Sequence, residues 1–379
     1  CVEEKTGKFL WQATHDKLPT GRVNDWPEQG ICSAPWVDGD RIFYVSNRCE
    51  IVCADLNGFL DGENDGPYTD EKYKEQQDGD FVWVLNMFDE LDVFPHNLAT
   101  CSPVGAGDIL FVATSNGVDE GHLNLPVPEA PDFLAVDKNT GEILWERNDV
   151  GAKVLHGQWS SPAYGVMGNV PQAIFGGGDG VCYSYEAKTG ELLWKFDMNP
   201  KDSKWTLGGR GTRNNIIATP VIYDNKVFLC VGQDPEHGEG VGHLYVIDGT
   251  QRGDITETGT VWHVGGEEFY RSMSTVAIAD GLLYAADLSG FLYCLDAKTG
   301  KQNWRYDTFS AIWGSPYVVD GKVMLGTEDG TVVVMKHGPI MEKLAINDLK
   351  NAVYTTPVAS NGVLYITNRR SLFSIALTK

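Results

Sequence analysis

The sequence predicts an all-β fold, a β-propeller of four-stranded antiparallel blades, and two observations carry that prediction. The first is a repeated unit whose clearest copy runs from Phe291 to Trp304: a strand of alternating apolar residues, Asp296, a Lys-Thr-Gly turn, and a strand carrying Trp304. The same Thr-Gly followed by Trp, at the same spacing, recurs at Thr6-Gly7 with Trp11, Thr140-Gly141 with Trp145, and Thr189-Gly190 with Trp194. The second is the make-up of the repeat, about 40 to 50 residues of short strands alone, the signature of propeller blades. One such sheet cannot bury both faces, so each needs a neighbour on either side.

Each blade is read as strands A to D, running outward from the axis. Strand A begins after a Ser/Thr-Pro type signal, as at Ser33-Ala34-Pro35, Ser161-Pro162, Thr219-Pro220, Ser315-Pro316 and Thr356-Pro357. A hairpin turn that accepts positive φ follows, as at Asp38-Gly39, Asp280-Gly281, Asp320-Gly321 or Asn361-Gly362. Strand B ends at turns such as Asp179-Gly180, Ser289-Gly290 and Asp329-Gly330. Copies of strand C start at Cys1, Glu50, Phe133, Val181, His243, Phe291, Thr331 and Ser371. The first and last of these claim the same slot, so eight blades are expected, with seven as the alternative. Aligning Thr6-Gly7 on Thr299-Gly300 puts Cys1 on Cys294, inside a strand. Residues 1–379 are therefore expected to be a single propeller domain that starts mid-blade, with sequence upstream.

Composition narrows the function classes. Of 379 residues, 52 are Asp or Glu against 30 Lys or Arg, a formal charge of −22. Phosphates would be repelled, which excludes sequence-independent binding to nucleic acid or anionic lipid. No run approaches the roughly 20 apolar residues of a membrane span. The eight cysteines are scattered without a CxxC, most of them inside strands, where a reduced Cys is a small apolar residue. They do not decide the compartment.

The long connections fall between strands D and A or B and C, which share one face: 14–31, 89–100, 117–132, 197–215, 233–242 and 265–273. Two exceptions, 58–80 and 249–259, lie on the other face. Loops gathered on one rim of a rigid scaffold are where a binding surface is built. Residues just before each strand A would face the axial funnel: His96 and Asn97; His156, Gln158 and Trp159; Arg213, Asn214 and Asn215. Arg271, Trp313 and the flexible Arg210 complete the candidate set. His, Arg, Asn and aromatics in an acidic protein suit a planar, anionic ligand, although the same side chains would also serve to hydrogen-bond loop backbones.

Two candidate metal clusters stand apart. Asp234, His237, Glu239 and His243 crowd the segment QDPEHGEGVGH, without a recognised zinc spacing. Asp61, Glu63 and Asp65 resemble a calcium loop, but Lys72 stands where an EF-hand needs its bidentate Glu. Calcium through these oxygens is the cation to consider. No catalytic residue is assigned: GxSxG, HExxH and P-loop patterns are missing, and Gly176-Gly177-Gly178 precedes a strand, not a helix. His15, His122 and His337 read as isolated, solvated loop residues.

The Asp-x-x-Thr-Gly-x-x-x-Trp unit resembles the repeat of the pyrroloquinoline-quinone (PQQ)-like propellers over nearly the whole chain. That family includes quinoprotein alcohol dehydrogenases and the outer-membrane assembly lipoprotein of the β-barrel machinery. The dehydrogenase branch implies PQQ on the axis, stacked on a Trp (Trp159 or Trp313 being available), beside calcium that Asn97 or Asn215 could reach. It also implies a vicinal Cys-Cys disulfide, and this sequence has no adjacent cysteines. The assembly branch implies a ligand-free scaffold that presents loops to a protein partner in the periplasm or another extracytoplasmic place. The second reading is preferred, with self-assembly through the same loops as a variant of it.

Overall fold

Seven sheets account for nearly all the regular structure of the chain, in a computed structural model that describes residues 1–234, 236, 238 and 240–376. The first two blades are Trp36–Asp38, Arg41–Val45, Glu50–Asp55 and Phe81–Asn86, then Val104–Ala106, Ile109–Ala113, Phe133–Asp137 and Ile143–Arg147. The third holds Ala163–Met167, Val170–Gly176, Val181–Glu186 and Leu192–Asp197, with the short Gly253–Asp254 added parallel to the last of these as a fifth strand. The fourth comprises Val221–Tyr223, Lys226–Val231, His243–Asp248 and Thr260–Gly265, and the fifth Ala277–Ala279, Leu282–Ala286, Phe291–Asp296 and Gln302–Asp307. The sixth runs through Tyr317–Val319, Lys322–Gly326, Thr331–Lys336 and Lys343–Asp348; the seventh has three strands, Val358–Ser360, Val363–Thr367 and Leu372–Ala376. By its contacts the chain forms two compact units, 1–193 with 201–213 and 194–200 with 214–379.

The expectation of eight blades is thereby corrected to seven. The first Thr-Gly-Trp copy supplies only strand positions C and D, and two strands do not make a blade. It folds as a hairpin with one β-bridge, Val2 to Phe9. The hairpin nonetheless repeats the fifth blade residue for residue: Val2 pairs with Phe9 as Leu295 pairs with Gln302. Gly7 N–H donates to Glu3 O at 2.8 Å, as Gly300 N–H does to Asp296 O.

The repeat residues have separable jobs. Asp296 Oδ1 accepts from the backbone N–H of Lys298 and Thr299 and from the Thr299 hydroxyl, which fixes the turn and holds its carboxyl below the usual range. Gly300, at φ +74°, leaves the space into which the Trp of the preceding blade fits: a Cβ there would come within 2.7 Å of the Trp262 ring. The Trp262 indole N–H then donates to Ala297 O at 3.1 Å. Trp83 meets Gly141 and Lys138 O in this way, and Trp145 meets Gly190 and Ala187 O. Trp11 of the N-terminal hairpin packs on Gly58 and donates to Leu56 O. Hairpins between strands A and B close through two residues of positive φ, Asp280-Gly281, Asp320-Gly321 and Asn361-Gly362, as type I′ turns require. In the first blade Asp38 pairs with Arg41, so the turn is Gly39-Asp40, one residue later than its sequence suggests.

In the first unit, Phe111, Phe133, Trp145, Phe175 and Tyr185 belong to one buried cluster. In the second, Tyr284, Trp304, Leu325 and Met335 belong to another. Six cysteines are buried, Cys1 and Cys32 are exposed, and all eight are free thiols. Among the described residues no helix is long and apolar enough to cross a membrane.

Candidate functional site

The connections of the first unit are fastened to one another by backbone hydrogen bonds. Gly117 N–H donates to Phe94 O (2.9 Å), Val118 N–H to His156 O (2.9 Å), Leu155 N–H to Gly178 O (3.0 Å) and Gly208 N–H to Leu155 O (2.6 Å). Glycines permit this approach. A Cβ on Gly117 would lie 2.6 Å from His156 O, and one on Gly208 would lie 2.4 Å from His122 O.

Three histidines meet inside this frame. His96 follows the first blade, His122 lies between strands B and C of the second, and His156 follows the second. Their ring centroids are 4.8 Å (His96–His122), 4.3 Å (His96–His156) and 4.3 Å (His122–His156) apart. His96 and His156 are buried and His122 is half-buried. Trp159 borders the group, edge-on to His156 at 5.0 Å, with its indole N–H donating to His96 O at 3.3 Å. Asn97, Ser115 and His122 hold φ of 63°, 70° and 55°, a left-handed conformation costly to non-glycine residues and concentrated at functional sites.

Gln158, two residues after His156, reaches a buried carboxyl. Asp132 Oδ2 accepts from Val150 N–H (2.8 Å) and Gly151 N–H (3.1 Å), and Oδ1 accepts from Gln158 Nε2 (2.8 Å). Burial outweighs these donors and pushes its pKa up to about 7. Gln158 Oε1 is buried with no hydrogen-bond partner among the described residues. Asp179, against Tyr183 OH at 2.8 Å, is likewise raised by burial to about 6, with the Arg213 charge pulling the other way.

Of the ring read from sequence, the first unit thus brings together His96, His156, Gln158 and Trp159. Asn97 contributes its backbone, N–H to Val23 O at 2.7 Å and O from Trp26 N–H at 2.8 Å, and Arg210 is exposed on its loop. In the second unit Asn214 ties loop backbone, taking Nδ2 to Met198 O at 3.0 Å, and Asn215 N–H donates to Gly232 O. Arg271 donates to Gly238 O, and Trp313 sits edge-on to Tyr354 at 6.1 Å.

The three histidines read as isolated are each engaged. His122 joins the cluster above. His15 stacks on Phe81 and bonds Tyr44 OH at 2.8 Å, and His337 bonds Tyr284 OH at 2.8 Å. Position in the topology, rather than local sequence, was the available signal for His122: the 117–132 insertion shares a face with the loops of His96 and His156.

Of the acidic candidates, Asp61 and Asp65 converge with Asp55, one oxygen of each within 4.8 Å of the others. Glu63 offers only its N–H, to Asp61 Oδ1 at 3.0 Å. Arg41 already neutralises part of this charge, at 2.6 Å from Asp55 and 4.0 Å from Asp65. His237 and Glu239 lie outside the described residues, and Asp234 is buried, accepting from Glu236 N–H. His243 opens its strand, where the repeat places it, and bonds His263 at 2.9 Å. Burial first, then the His263 charge, lowers its pKa to about 4. The unfolded chain therefore binds a proton that the folded chain refuses between about pH 6.5 and 4, and stability falls as pH drops through that window. A His243→Asn variant is expected to lose less of its thermal midpoint than wild type over the same range.

The sequence pattern of the family described as outer membrane protein assembly factor BamB matches residues 74–254 and 179–338. The BamB of Yersinia pestis is 20% identical over 358 residues, covering 88% of this chain and 78% of its own. Among solved structures, BamB from Moraxella catarrhalis superposes with a TM-score of 0.58 at 16% identity, over 91% of this chain and 82% of that one. A europium-containing methanol dehydrogenase reaches 0.55 at 15% identity, over 89% and 72%. At such identities the two structures speak for the fold alone.

Proposed function

The chain belongs to the family of the outer membrane protein assembly factor BamB, and from that premise we propose that it is a non-enzymatic scaffold that binds a protein partner through its D-to-A and B-to-C loops, outside the cytoplasm. One observation carries the reading. The 114–132 and 201–213 loops lock together at Gly208 and His122, yet leave Leu123 and Trp205 with 64% and 44% of their surfaces exposed. Trp205 is held in place by its indole N–H, which donates to Lys153 O at 2.8 Å. Rigid aromatic and aliphatic side chains on a polar, interlocked surface have the character of interface anchors.

The alternative is a PQQ- and calcium-dependent dehydrogenase. It draws on the likeness in fold to methanol dehydrogenase and on the polar, aromatic loop residues, Trp159 and Arg213 among them. Two measurements separate the readings. A photo-crosslinking residue placed at Leu123 or Trp205 is expected to trap an envelope-assembly protein in cells, whereas one at Val166, beside an A-to-B turn, is not. Titration with PQQ and calcium is expected to show no binding at high micromolar cofactor. Tight, calcium-dependent binding weakened by Arg213→Ala would overturn the scaffold.

A further inference from the structure

We propose that His96, His122 and His156 form a binding site for a divalent transition-metal ion, independent of any partner. One ring nitrogen from each lies within 4.8 Å of the other two, and the three centroids make a nearly equilateral triangle. Ions with Zn–N bonds of about 2.0–2.1 Å need donor nitrogens roughly 3.3 Å apart in a tetrahedral arrangement. His96 Nε2 and His156 Nε2 are at 2.7 Å, so that pair must open by about half an ångström, within the reach of small side-chain rotations.

The tautomers favour this use. His96 Nδ1 faces Val118 O at 2.8 Å. A carbonyl only accepts, so Nδ1 carries the hydrogen and the Nε2 lone pair points into the cluster. Metal-binding histidines are oriented by this kind of outer hydrogen bond. The short contact between the two Nε2 atoms is then an N–H···N bond donated by His156, and an ion takes the place of that shared hydrogen while His156 passes its proton to Nδ1. Because the site is three imidazoles, with neither thiolate nor carboxylate, it suits Zn²⁺, Cu²⁺, Ni²⁺ or Co²⁺ and is poorly matched to calcium or magnesium. Three protein ligands leave a fourth position open, and half-buried His122 gives the ion its approach from solvent. The acidic protein raises the local concentration of cations.

The surroundings hold these rings against alternatives. Left-handed backbone at Asn97, Ser115 and His122, and glycines at 117 and 208 too close for any Cβ, belong to the same few residues.

The test uses the full chain without a histidine tag, stripped of metal by a chelator and dialysed. Co²⁺ is followed by its visible d–d absorption and Zn²⁺ by calorimetry. One ion per chain is expected, with affinity lowered at least about tenfold in both His122→Ala and His156→Asn and unchanged in His263→Ala of the second unit. His122→Ala changes a half-buried loop position, so it keeps the test open if the buried His156 variant fails to fold. Zn²⁺ should also raise the thermal midpoint of wild type but not of His122→Ala. Absence of saturable binding, or equal affinity in wild type and His122→Ala, would overturn the proposal.

Discussion

Replacing Asp132 with alanine is expected to cost about 3–5 kcal/mol of folding stability, because it strands three donors at once, each worth about 1–3 kcal/mol when buried unpaired. Val150 N–H, Gly151 N–H and Gln158 Nε2 all end on this carboxyl. Asp132→Asn should behave differently. Asn keeps an oxygen for the two backbone groups and turns its amide toward Gln158, whose buried Oε1 can rotate in to accept. The two variants also separate by pH. With its pKa raised from 3.8 to about 7, the folded state keeps a proton that the unfolded state has lost. The resulting stability is complete below about pH 3.8 and is lost as pH rises through about 7. Urea denaturation at a series of pH values should show wild type weakening toward neutral pH, Asp132→Asn lacking that slope, and Asp132→Ala low throughout.

The second large effect is expected at the joint between the second and third blades. Trp145 is buried against Phe111 and Tyr185, sits on Gly190, and donates its indole N–H to Ala187 O at 2.9 Å. Trp145→Ala should cost about 3–5 kcal/mol through the cavity alone, and the abandoned carbonyl adds about 1 kcal/mol or more. Trp145→Phe keeps most of the apolar contact and should lose about 1–2 kcal/mol. From the other side of the joint, Gly190→Ala meets both a positive φ of 69° and the Trp145 ring at 2.7 Å. It should cost about 2 kcal/mol or more. Denaturation midpoints check the whole arrangement: Trp145→Ala should be the least stable of the three variants, Gly190→Ala intermediate and Trp145→Phe the most stable.

Blade architecture was legible because its determinants are local. Asp, Thr-Gly and Trp lie within nine residues, and each makes a contact that its own turn or the next one dictates. Blade number was not, since Cys1 and Ser371 look alike in sequence whether or not strands A and B accompany them. The candidate site was half legible. His96, His156, Gln158 and Trp159 precede strand A, a position that topology aims inward. His122 lies in a B-to-C loop with no pattern of its own, and the pairing of Val118 with His156 O and the close packing of Gly208 on its carbonyl bring it in. Asp132 was missed because an Asp before a strand is ordinary, and its burial depends on Val150 and Gly151 folding back across it. Arg271 and Asn214 have the right chemistry for a ligand, but loop carbonyls engage them.

The joint between blades has a bearing on how such a chain acquires its length. The repeats at Asp137 and Asp296, which carry both the Asp-x-x-Thr-Gly turn and the Trp, each hold a socket for the blade before and a plug for the blade after, and the N-terminal hairpin offers a plug of the same kind, Trp11 on Gly58. A segment bearing one socket and one plug can be duplicated or deleted without leaving a mismatched neighbour, because the joints on either side remain of one kind. Gene duplication can therefore add or remove a blade with joints of the same kind on either side, while changes to loops such as 114–132 leave those joints untouched.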